Sequence, residues 1–238
     1  MIYIFDIDGT LTPSRNLIDS KFKKFFEEFI RNNRVWLISG SDKDKTIEQL
    51  TYGIWSGVER AYQCAGNQLY IKGELVKENK FQLPHLLNVY LQSLLQESRY
   101  AHRYGNHIEE RPGMVNFSVV GRNCTQEQRD QYYIWDLRHK EREQFANSIK
   151  LNFPAIDAVV GGEISIDIYP KGLDKGQILN DIDGYFSFFG DKLEPGGNDY
   201  PIKKAAQDME VQGATFYHVK SWKDTRDLLY SIMTEGIT

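Results

Sequence analysis

Residues 2–12 read IYIFDIDGTLT, and this stretch decides the fold that we predict for the chain. Apolar residues, several of them β-branched or aromatic, lead to two carboxylates at Asp6 and Asp8, and Gly9 then breaks the run. This order is typical of a buried strand whose carboxyl end reaches the ligand-binding edge of an open parallel sheet. Alternation along a strand would place both carboxylates on one side, but the turn near Gly9 leaves their directions open.

Two carboxylates this close repel each other unless a cation or a shared proton relieves them. The oxygen pair suits Mg²⁺, and one member could also attack phosphorus. The alternative is an acidic turn after an edge strand, because Asp8-Gly9 also supplies turn chemistry. The spacing alone does not separate these interpretations, since it often occurs by chance.

Composition indicates a globular protein with a sizeable core. The chain has 238 residues, of which 41% are hydrophobic and 26% charged, enough for one large domain or two modest ones. The formal net charge is −4, so we expect no nucleic-acid partner and only a local anion site. Cys64 and Cys124 form no CxxC pattern, which argues against a disulfide scaffold or a structural zinc site.

The distribution of apolar residues argues against a membrane partner. We find no apolar stretch of about 18 residues and no signal-like region at the amino terminus. We therefore expect a cytoplasmic enzyme.

A second apolar run, 35–38, leads into Ser39 and Ser41, ahead of a helix that we predict over 43–50. Hydroxyls and backbone N–H groups at such a strand end could bind a phosphate. On this signal alone, a plain helix cap by Ser41 or Asp42 is the favoured interpretation, and the two roles are compatible.

A third apolar run, 185–189, leads into Asp191, and a glycine-rich stretch then carries Asn198 and Asp199. Lys175 lies where another helix is predicted to begin. The carboxyl ends of parallel strands share one edge of a sheet, so we expect these groups to converge with the first motif. The sequence therefore predicts a phosphoryl-transfer site.

The alternation of strands and helices is interrupted in the middle of the chain. That region carries a helical stripe of leucines and segments typical of an α+β unit: a helix over 83–95, strands over 116–120 and 163–169, and one charged helix over 127–150. We predict a doubly wound, Rossmann-like α/β core with a parallel sheet, built from residues 1–79 and 173–238. An α+β cap would be inserted at residues 80–172.

The first motif resembles the opening DxDGTLT motif of the haloacid dehalogenase superfamily, most of whose members are phosphotransferases. The resemblance implies that Asp6 is the nucleophile that becomes an aspartyl phosphate, and that Asp8 is the general acid and base. It also implies that Ser39 hydrogen-bonds the transferring phosphoryl group, with Ser41 close enough to compete for that role.

The same resemblance implies a magnesium site. Mg²⁺ would be held by Asp6, by the backbone carbonyl of Asp8 and by Asp191, with Asn198 or Asp199 supporting the metal shell or orienting a lysine. That lysine is Lys175, which would neutralise the phosphoryl oxygens.

Longer strings resemble those of eukaryotic-type phosphomannomutases. Residues 161–175, GGEISIDIYPKGLDK, stand against GGQxSFDVFPxGxDK, and residues 188–199, FFGDKLEPGGND, against FFGDxxxPGGND. Residues 6–15 stand against DVDGTLTPAR, and residues 110–129, ERPGMVNFSVVGRNCTQEQR, against FRxGMxNxSPxGRxCxxEER. The strings span nearly the whole chain.

This family resemblance implies a substrate and a set of residues that bind it. The substrate would be a hexose phosphate, the reaction would link mannose 6-phosphate with mannose 1-phosphate, and a hexose 1,6-bisphosphate would act as activator. The residues at the family's substrate positions are Arg15, Arg111, Arg122, Arg129, Ser165 and Asp167. The arginines would hold the phosphate that is not reacting, and the last two residues would bind sugar hydroxyls. The resemblance also implies a possible homodimer through the cap.

Other interpretations stay open. A sugar-phosphate phosphatase on the same scaffold would differ only in whether water reaches the phosphoenzyme, and a non-catalytic sugar-phosphate binding protein is a third possibility. Residues 200–204 depart from the stretch that forms a second metal site in relatives, because Lys203 and Lys204 could not bind a cation. We do not predict that second site.

Overall fold

The computed structural model describes residues 1–235 and arranges their strands in two sheets. In chain order the strands are β1 (Ile2–Asp6), β2 (Arg34–Ile38), β3 (Arg60–Gln63), β4 (Gln68–Ile71), β5 (Glu74–Glu78), β6 (Ile108–Arg111), β7 (Met114–Phe117), β8 (Ile156–Gly161), β9 (Ser165–Pro170), β10 (Phe186–Gly190) and β11 (Ala214–His218). The helices are α1 (Ser20–Asn32), α2 (Lys43–Gly57), α3 (His85–Glu97), α4 (Gln126–His139), α5 (Glu141–Asn152), α6 (Tyr200–Asp208) and α7 (Trp222–Glu235). Within residues 1–235, none of these helices combines the length and the apolar character that crossing a bilayer requires.

The larger sheet has the order β11-β10-β1-β2-β3-β4-β5. Its first five strands in that order run parallel, while β4 and β5 pair antiparallel as an edge hairpin. All five residues of β1 are buried, as expected for an apolar strand that is covered on both faces. The carboxyl ends of β10, β1 and β2 therefore lie side by side at one edge.

Helices cover both faces of this sheet. Tyr3 and Phe5 pack towards α1, α2 and α7, while Ile2 and Ile4 pack on the opposite face towards α6 and a 3₁₀ segment, Lys175–Asp181. This division follows from the two-residue period of a strand. The arrangement confirms the predicted doubly wound α/β fold, with the antiparallel β4–β5 hairpin as an addition at one edge.

The smaller sheet is antiparallel, with the order β6-β7-β9-β8. Side chains of α3, α4 and α5 bury apolar surface against it in a separate hydrophobic cluster. All of its strands lie between β5 and β10 along the chain. We therefore keep, as a proposal, a cap at residues 80–172 inserted in a core of residues 1–79 and 173–238.

The single charged helix predicted over 127–150 is wrong, because the chain forms two helices that are separated at Lys140. This residue adopts a left-handed φ of 55° and ends α4. Across this break, Asp136 of α4 accepts hydrogen bonds from Arg142 of α5, from its backbone N–H at 3.0 Å and from its Nε at 2.7 Å. The buried ion pair stabilises the break, and the residue pattern of the helix carries no sign of it.

Other local predictions need smaller corrections. The strand predicted over 163–169 begins only at Ser165, after a turn at Gly162, where φ is 51°. The segment after Asp174, predicted as an ordinary helix, is the 3₁₀ segment. Strands β6 and β8 are not predicted from the sequence, because their short runs mix apolar with charged or small residues.

Candidate active site

Three neighbouring strand ends and the start of the 3₁₀ segment meet at one edge of the larger sheet. Asp6 ends β1, Ser39 follows β2 and Asp191 follows β10. The Nζ atom of Lys175 lies 2.6 Å from Oδ1 of Asp6 and 2.7 Å from Oδ1 of Asp199. The structure thus joins Lys175 to Asp6, which lies 169 positions away in the sequence.

The ammonium of Lys175 is buried between these two carboxylates. Its side chain is 2% exposed, and those of Asp6 and Asp199 are 5% and 0% exposed. Burial alone would lower the pKa of Lys175, but the carboxylates of Asp199 and Asp6 raise it, so the lysine is a cation at neutral pH. Burial raises the pKa of Asp6, and the lysine opposes that shift. The ammonium of Lys175 is therefore the shared counter-ion of the Asp6 and Asp199 carboxylates.

Three carboxylates at this edge form a group that could hold a metal ion. Asp6, Asp191 and Asp199 each offer a ligand oxygen, and these oxygens all lie within 4.8 Å of one another. Burial, with a smaller contribution from Asp199, raises the pKa of Asp191 to about 6. The Oδ1 atom of Asn198 is buried nearby and has no hydrogen-bond partner in the described chain. A set of oxygens with excess negative charge and an unpaired carbonyl fits Mg²⁺.

The carboxylate of Asp8 lies outside that group. Its Oδ1 atom accepts hydrogen bonds from the backbone N–H of Arg15 at 2.7 Å and from Nε2 of Gln49 at 3.0 Å. Its Oδ2 atom has no hydrogen bond among the described residues and the side chain lines the same cavity as Asp6. The carboxylate of Asp8 is therefore not one of the three that could hold a metal ion together, and it faces the cavity.

Ser39 and Ser41 both line the cavity at the end of β2. The Oγ atom of Ser39 accepts a hydrogen bond from the backbone N–H of Ser41 at 2.9 Å, and both residues are buried. Asp42, the third candidate of this loop, caps α2 by accepting from the backbone N–H of Lys45 at 2.9 Å. The helix cap is thus Asp42, while Ser39 and Ser41 lie on the cavity wall.

A cavity of about 320 Å³ lies between the two sheets, a volume within the range of small-molecule sites. Asp6, Asp8, Ser39, Asp191 and Asn198 line it from the larger sheet's side. The predicted substrate residues also line it: Arg15, Arg111, Arg122, Arg129, Ser165 and Asp167. The structure thus brings these residues together around one cavity, and Lys175 and Asp199 lie behind its wall.

The two residues predicted to bind sugar hydroxyls, Ser165 and Asp167, lie on β9. Oγ of Ser165 accepts a hydrogen bond from Nη1 of Arg122 at 3.1 Å, and Oδ1 of Asp167 accepts one from Nδ2 of Asn116 at 2.7 Å. Burial raises the pKa of Asp167, although the charge of Arg111 opposes the shift. Both side chains are held by neighbours, which favours a defined position for a bound sugar.

Several cavity residues are absent from the sequence prediction, among them Ser14, Asn116, Tyr133, Glu163, Lys192 and Lys220. Two of them carry a usable signal: Glu163 stands where the resembling string GGQxSFDVFP has glutamine, and Lys192 directly follows Asp191. Tyr133 lies on α4 in no recognisable motif. Only the packing of α4 over the cavity reveals it.

Comparisons with known proteins agree on one family. A family model described as "Eukaryotic phosphomannomutase" matches residues 22–235. A phosphomannomutase of Dendrobium officinale is 34% identical over 220 aligned positions, covering 88% of this chain and 87% of its own length. A phosphomannomutase of Drosophila melanogaster is 30% identical over 249 aligned positions, covering 98% of this chain and 95% of its own length.

A solved structure supports the fold independently. The C-terminal domain of a Candida albicans trehalose-6-phosphate phosphatase aligns with a TM-score of 0.66, covering 100% of this chain and 92% of its own length. At 14% identity, this likeness speaks for the shared architecture only.

Proposed function

Since the chain belongs to the eukaryotic phosphomannomutase family, we propose that it interconverts mannose 6-phosphate and mannose 1-phosphate. The observation that carries the proposal is the cavity, which has a carboxylate nucleophile candidate, Asp6, on one wall and several arginines around the others. A hexose phosphate needs both features, because one phosphate must react while charge holds the rest of the molecule in place.

The proposed reaction begins at Asp6. Because Lys175 occupies Oδ1, the other oxygen is open for attack on a phosphorus of a hexose 1,6-bisphosphate. A bond from Asp6 to phosphorus forms as the bond from phosphorus to the sugar oxygen breaks, and Asp8 gives its proton to that oxygen. A substrate hexose monophosphate that carries its phosphate on the other carbon then presents its free hydroxyl to the phosphoryl group on Asp6. This hydroxyl attacks the phosphorus as the bond from Asp6 to phosphorus breaks, Asp8 takes the proton back, and the bisphosphate so formed reorients before it transfers its other phosphate to Asp6.

The acidic group would hold Mg²⁺ through Asp6 and Asp191, with Asn198 or Asp199 completing the protein ligands. When bound, the ion supplies positive charge that lowers the repulsion between a carboxylate nucleophile and a phosphate. Lys175 keeps Asp6 and Asp199 apart and compensates part of their charge whether or not the ion is present.

We assign Arg15, Arg111, Arg122 and Arg129 to the phosphate that is not reacting. Arginine is suited to this task because its planar fork binds two phosphate oxygens at once. Nη1 of Arg111 also donates to the backbone carbonyl of Gly40 at 2.9 Å, so the cap contacts the core beside the cavity. A cap held in this position would limit the access of water to Asp6, which a mutase requires.

We further propose, from the family resemblance, a homodimer through the cap and a cytoplasmic location. The cap exposes large apolar side chains, including Leu86 at 74% and Leu151 at 81%, which a partner subunit could cover. Sedimentation of the purified protein at several concentrations tests the oligomeric state.

A paired assay tests the proposed reaction. Mannose 1-phosphate is supplied with Mg²⁺ and a trace of glucose 1,6-bisphosphate, while mannose 6-phosphate and free phosphate are followed together. We expect mannose 6-phosphate to dominate and the bisphosphate to be required.

The other outcomes identify other functions. A dominant release of free phosphate would indicate a sugar-phosphate phosphatase on the same residues. If the protein binds the sugar phosphate but forms no phosphoenzyme and no product, it is a binding protein without catalysis.

A further inference from the structure

Glu109, at the start of the cap's smaller sheet, contacts two of the arginines that line the cavity. Its Oε1 atom accepts from Nε of Arg111 at 3.2 Å, and its Oε2 atom accepts from Nη2 of Arg111 at 3.1 Å and from Nε of Arg122 at 2.8 Å. We propose that Glu109 is a positioning residue that orients Arg111 and Arg122 for the phosphate of a bound hexose phosphate. The inference rests on the proposed function and adds a residue to it.

The location of Glu109 separates this role from direct contact with a ligand. Arg111 and Arg122 line the cavity, whereas Glu109 does not. For Arg122 the carboxylate takes the Nε edge, so both terminal nitrogens stay available for other partners. Glu109 therefore contacts the arginines without lining the cavity, so it leaves the cavity itself free for a phosphate.

An unsatisfied donor on Arg122 indicates what the arrangement is for. Nη1 of Arg122 donates to Oγ of Ser165 at 3.1 Å, but Nη2 is buried and has no hydrogen-bond partner in the described chain. A buried charged donor without a partner is costly, so its position indicates an oxygen supplied by a ligand. A phosphate oxygen in the cavity would satisfy it.

Glu109 also compensates for buried charge. The side chains of Arg111 and Arg122 are only 5% and 6% exposed, and two guanidinium groups at this depth need a nearby anion. Burial alone would raise the pKa of Glu109, but the hydrogen bond and charge of Arg111 lower it, so a carboxylate is present at neutral pH. Without this carboxylate, the guanidinium groups of Arg111 and Arg122 would repel each other and turn towards water.

The same carboxylate connects the cap with the core. Nζ of Lys45, on α2 of the core, lies 3.6 Å from Oε1 of Glu109. Since α2 follows the loop of Ser39 and Ser41, the contact relates the orientation of the arginines to the loop beside the reacting phosphate. The Lys45 pair is partly exposed, so we expect it to contribute less than the arginine contacts.

The test compares Glu109→Gln and Glu109→Ala with Glu110→Gln and Lys45→Met. Glu110 is the matched control, because it is the next residue on β6, is exposed, and makes no ion pair or side-chain hydrogen bond in the described chain. Binding of mannose 6-phosphate is measured by titration calorimetry without Mg²⁺, and kcat and KM are measured in the coupled assay. Thermal melts check that each variant is folded.

We expect the dissociation constant of mannose 6-phosphate to rise by about tenfold or more in Glu109→Ala, with kcat changed less than about threefold. Glu109→Gln should fall between the wild type and Glu109→Ala, because an amide oxygen can still accept from one arginine. We expect Glu110→Gln to bind like the wild type, and Lys45→Met to lose less affinity than Glu109→Ala.

Unchanged or tighter binding of mannose 6-phosphate by a folded Glu109→Gln variant would overturn the inference. That result would mean that Glu109 only offsets the charge of the arginines, because removing such a carboxylate would leave the arginines freer to bind phosphate. If Glu109→Ala fails to fold, Glu109→Gln carries the test alone. Calorimetry needs no turnover, so a wild type that binds mannose 6-phosphate without isomerising it contradicts the proposed function and leaves this inference intact.

Discussion

At the scale of single residues, the site is controlled by one buried cation. Lys175 holds Asp6 and Asp199 at 2.6 and 2.7 Å, and all three side chains are almost fully buried. A buried pair of this kind contributes little net stability when intact, but removing one partner leaves an uncompensated charge. The lysine therefore has a structural role that can be measured apart from catalysis.

Lys175→Met should lower the free energy of unfolding by about 3–5 kcal/mol, because two carboxylates lose their counter-charge. Urea denaturation of the purified variant measures the loss. The exposed Lys171→Met serves as control, and Lys175→Met combined with Asp199→Asn should recover part of the loss by removing one carboxylate. Equal losses in Lys175→Met and Lys171→Met would contradict the prediction.

Asp6→Asn should reduce kcat by at least about 10³-fold, because an amide cannot form the bond to phosphorus that the proposed mechanism requires. The change keeps the shape of the side chain, so we expect a folded protein that still binds mannose 6-phosphate. Turnover and acid-quenched phosphoenzyme are measured beside Asp183→Asn, an exposed aspartate. A variant that still accumulates phosphoenzyme would show that another residue is the nucleophile.

Asp167 gives a prediction of pH dependence. Burial raises its pKa in the folded protein, so the folded state binds more protons than the unfolded chain between the unfolded and folded pKa values. Stability arising from this group is therefore highest below the unfolded value and is lost as the pH rises through that interval. Relative to the wild type, Asp167→Asn should become more stable as the pH rises above about 4, the usual pKa of an unfolded aspartate. Urea denaturation of both proteins over a series of pH values measures the difference in their free energies of unfolding. A difference that does not vary with pH would contradict the prediction.

At the scale of elements, the turn after β1 determines how closely the first motif approaches Asp191. Gly9 has a φ of +85°, and a Cβ atom at this position would lie 2.6 Å from Oδ2 of Asp191. The backbone thus needs glycine for two reasons, its left-handed conformation and the contact with a carboxylate of the acidic group.

Gly9→Ala should lower the free energy of unfolding by about 1–3 kcal/mol and weaken the activation by Mg²⁺, because Asp191 must move away. Gly172→Ala is the matched control, since its φ is +86° and a Cβ there meets no atom within 4 Å. Denaturation and a Mg²⁺ titration of activity measure both variants. Equal effects of the two substitutions would mean that only backbone strain is at work.

Element prediction succeeded where a continuous apolar run carried the information. Strands β1, β2 and β10 were predicted because each is a mostly apolar segment followed by polar residues. The break at Lys140 was not predicted, because it depends on the pairing of Asp136 with Arg142. The charged pattern of the two helices is the same with or without a break.

At the scale of the whole molecule, three carboxamides link the two places where the chain passes between the proposed core and the proposed cap. Nδ2 of Asn79 donates to Oδ1 of Asn67 and to Oε1 of Gln177, both at 3.0 Å. Asn67 in turn donates to the backbone carbonyl of Leu173 at 3.1 Å, on the second crossing. This network links the two connections between the proposed core and the proposed cap, so we expect it to restrict the movement of the cap.

Asn79→Ala should increase the share of free phosphate among the products by about threefold or more, because a less constrained cap would admit water to Asp6. The paired assay of mannose 6-phosphate and free phosphate measures the ratio. Asn152→Ala, an exposed asparagine at the end of α5, is the control. An unchanged ratio in Asn79→Ala would show that these hydrogen bonds do not govern closure.

Local patterns in the sequence were enough to predict the α/β class, the strand ends that carry polar residues, and, through long motif resemblance, the family. They succeeded because burial of apolar runs and turn chemistry depend on residues close together in the chain. The triad of Lys175 with Asp6 and Asp199, the Gln49 contact to Asp8, and the contacts of Glu109 with two arginines were decided by the tertiary structure alone. Their partners come from separate elements, and which donor meets which acceptor depends on how those elements pack.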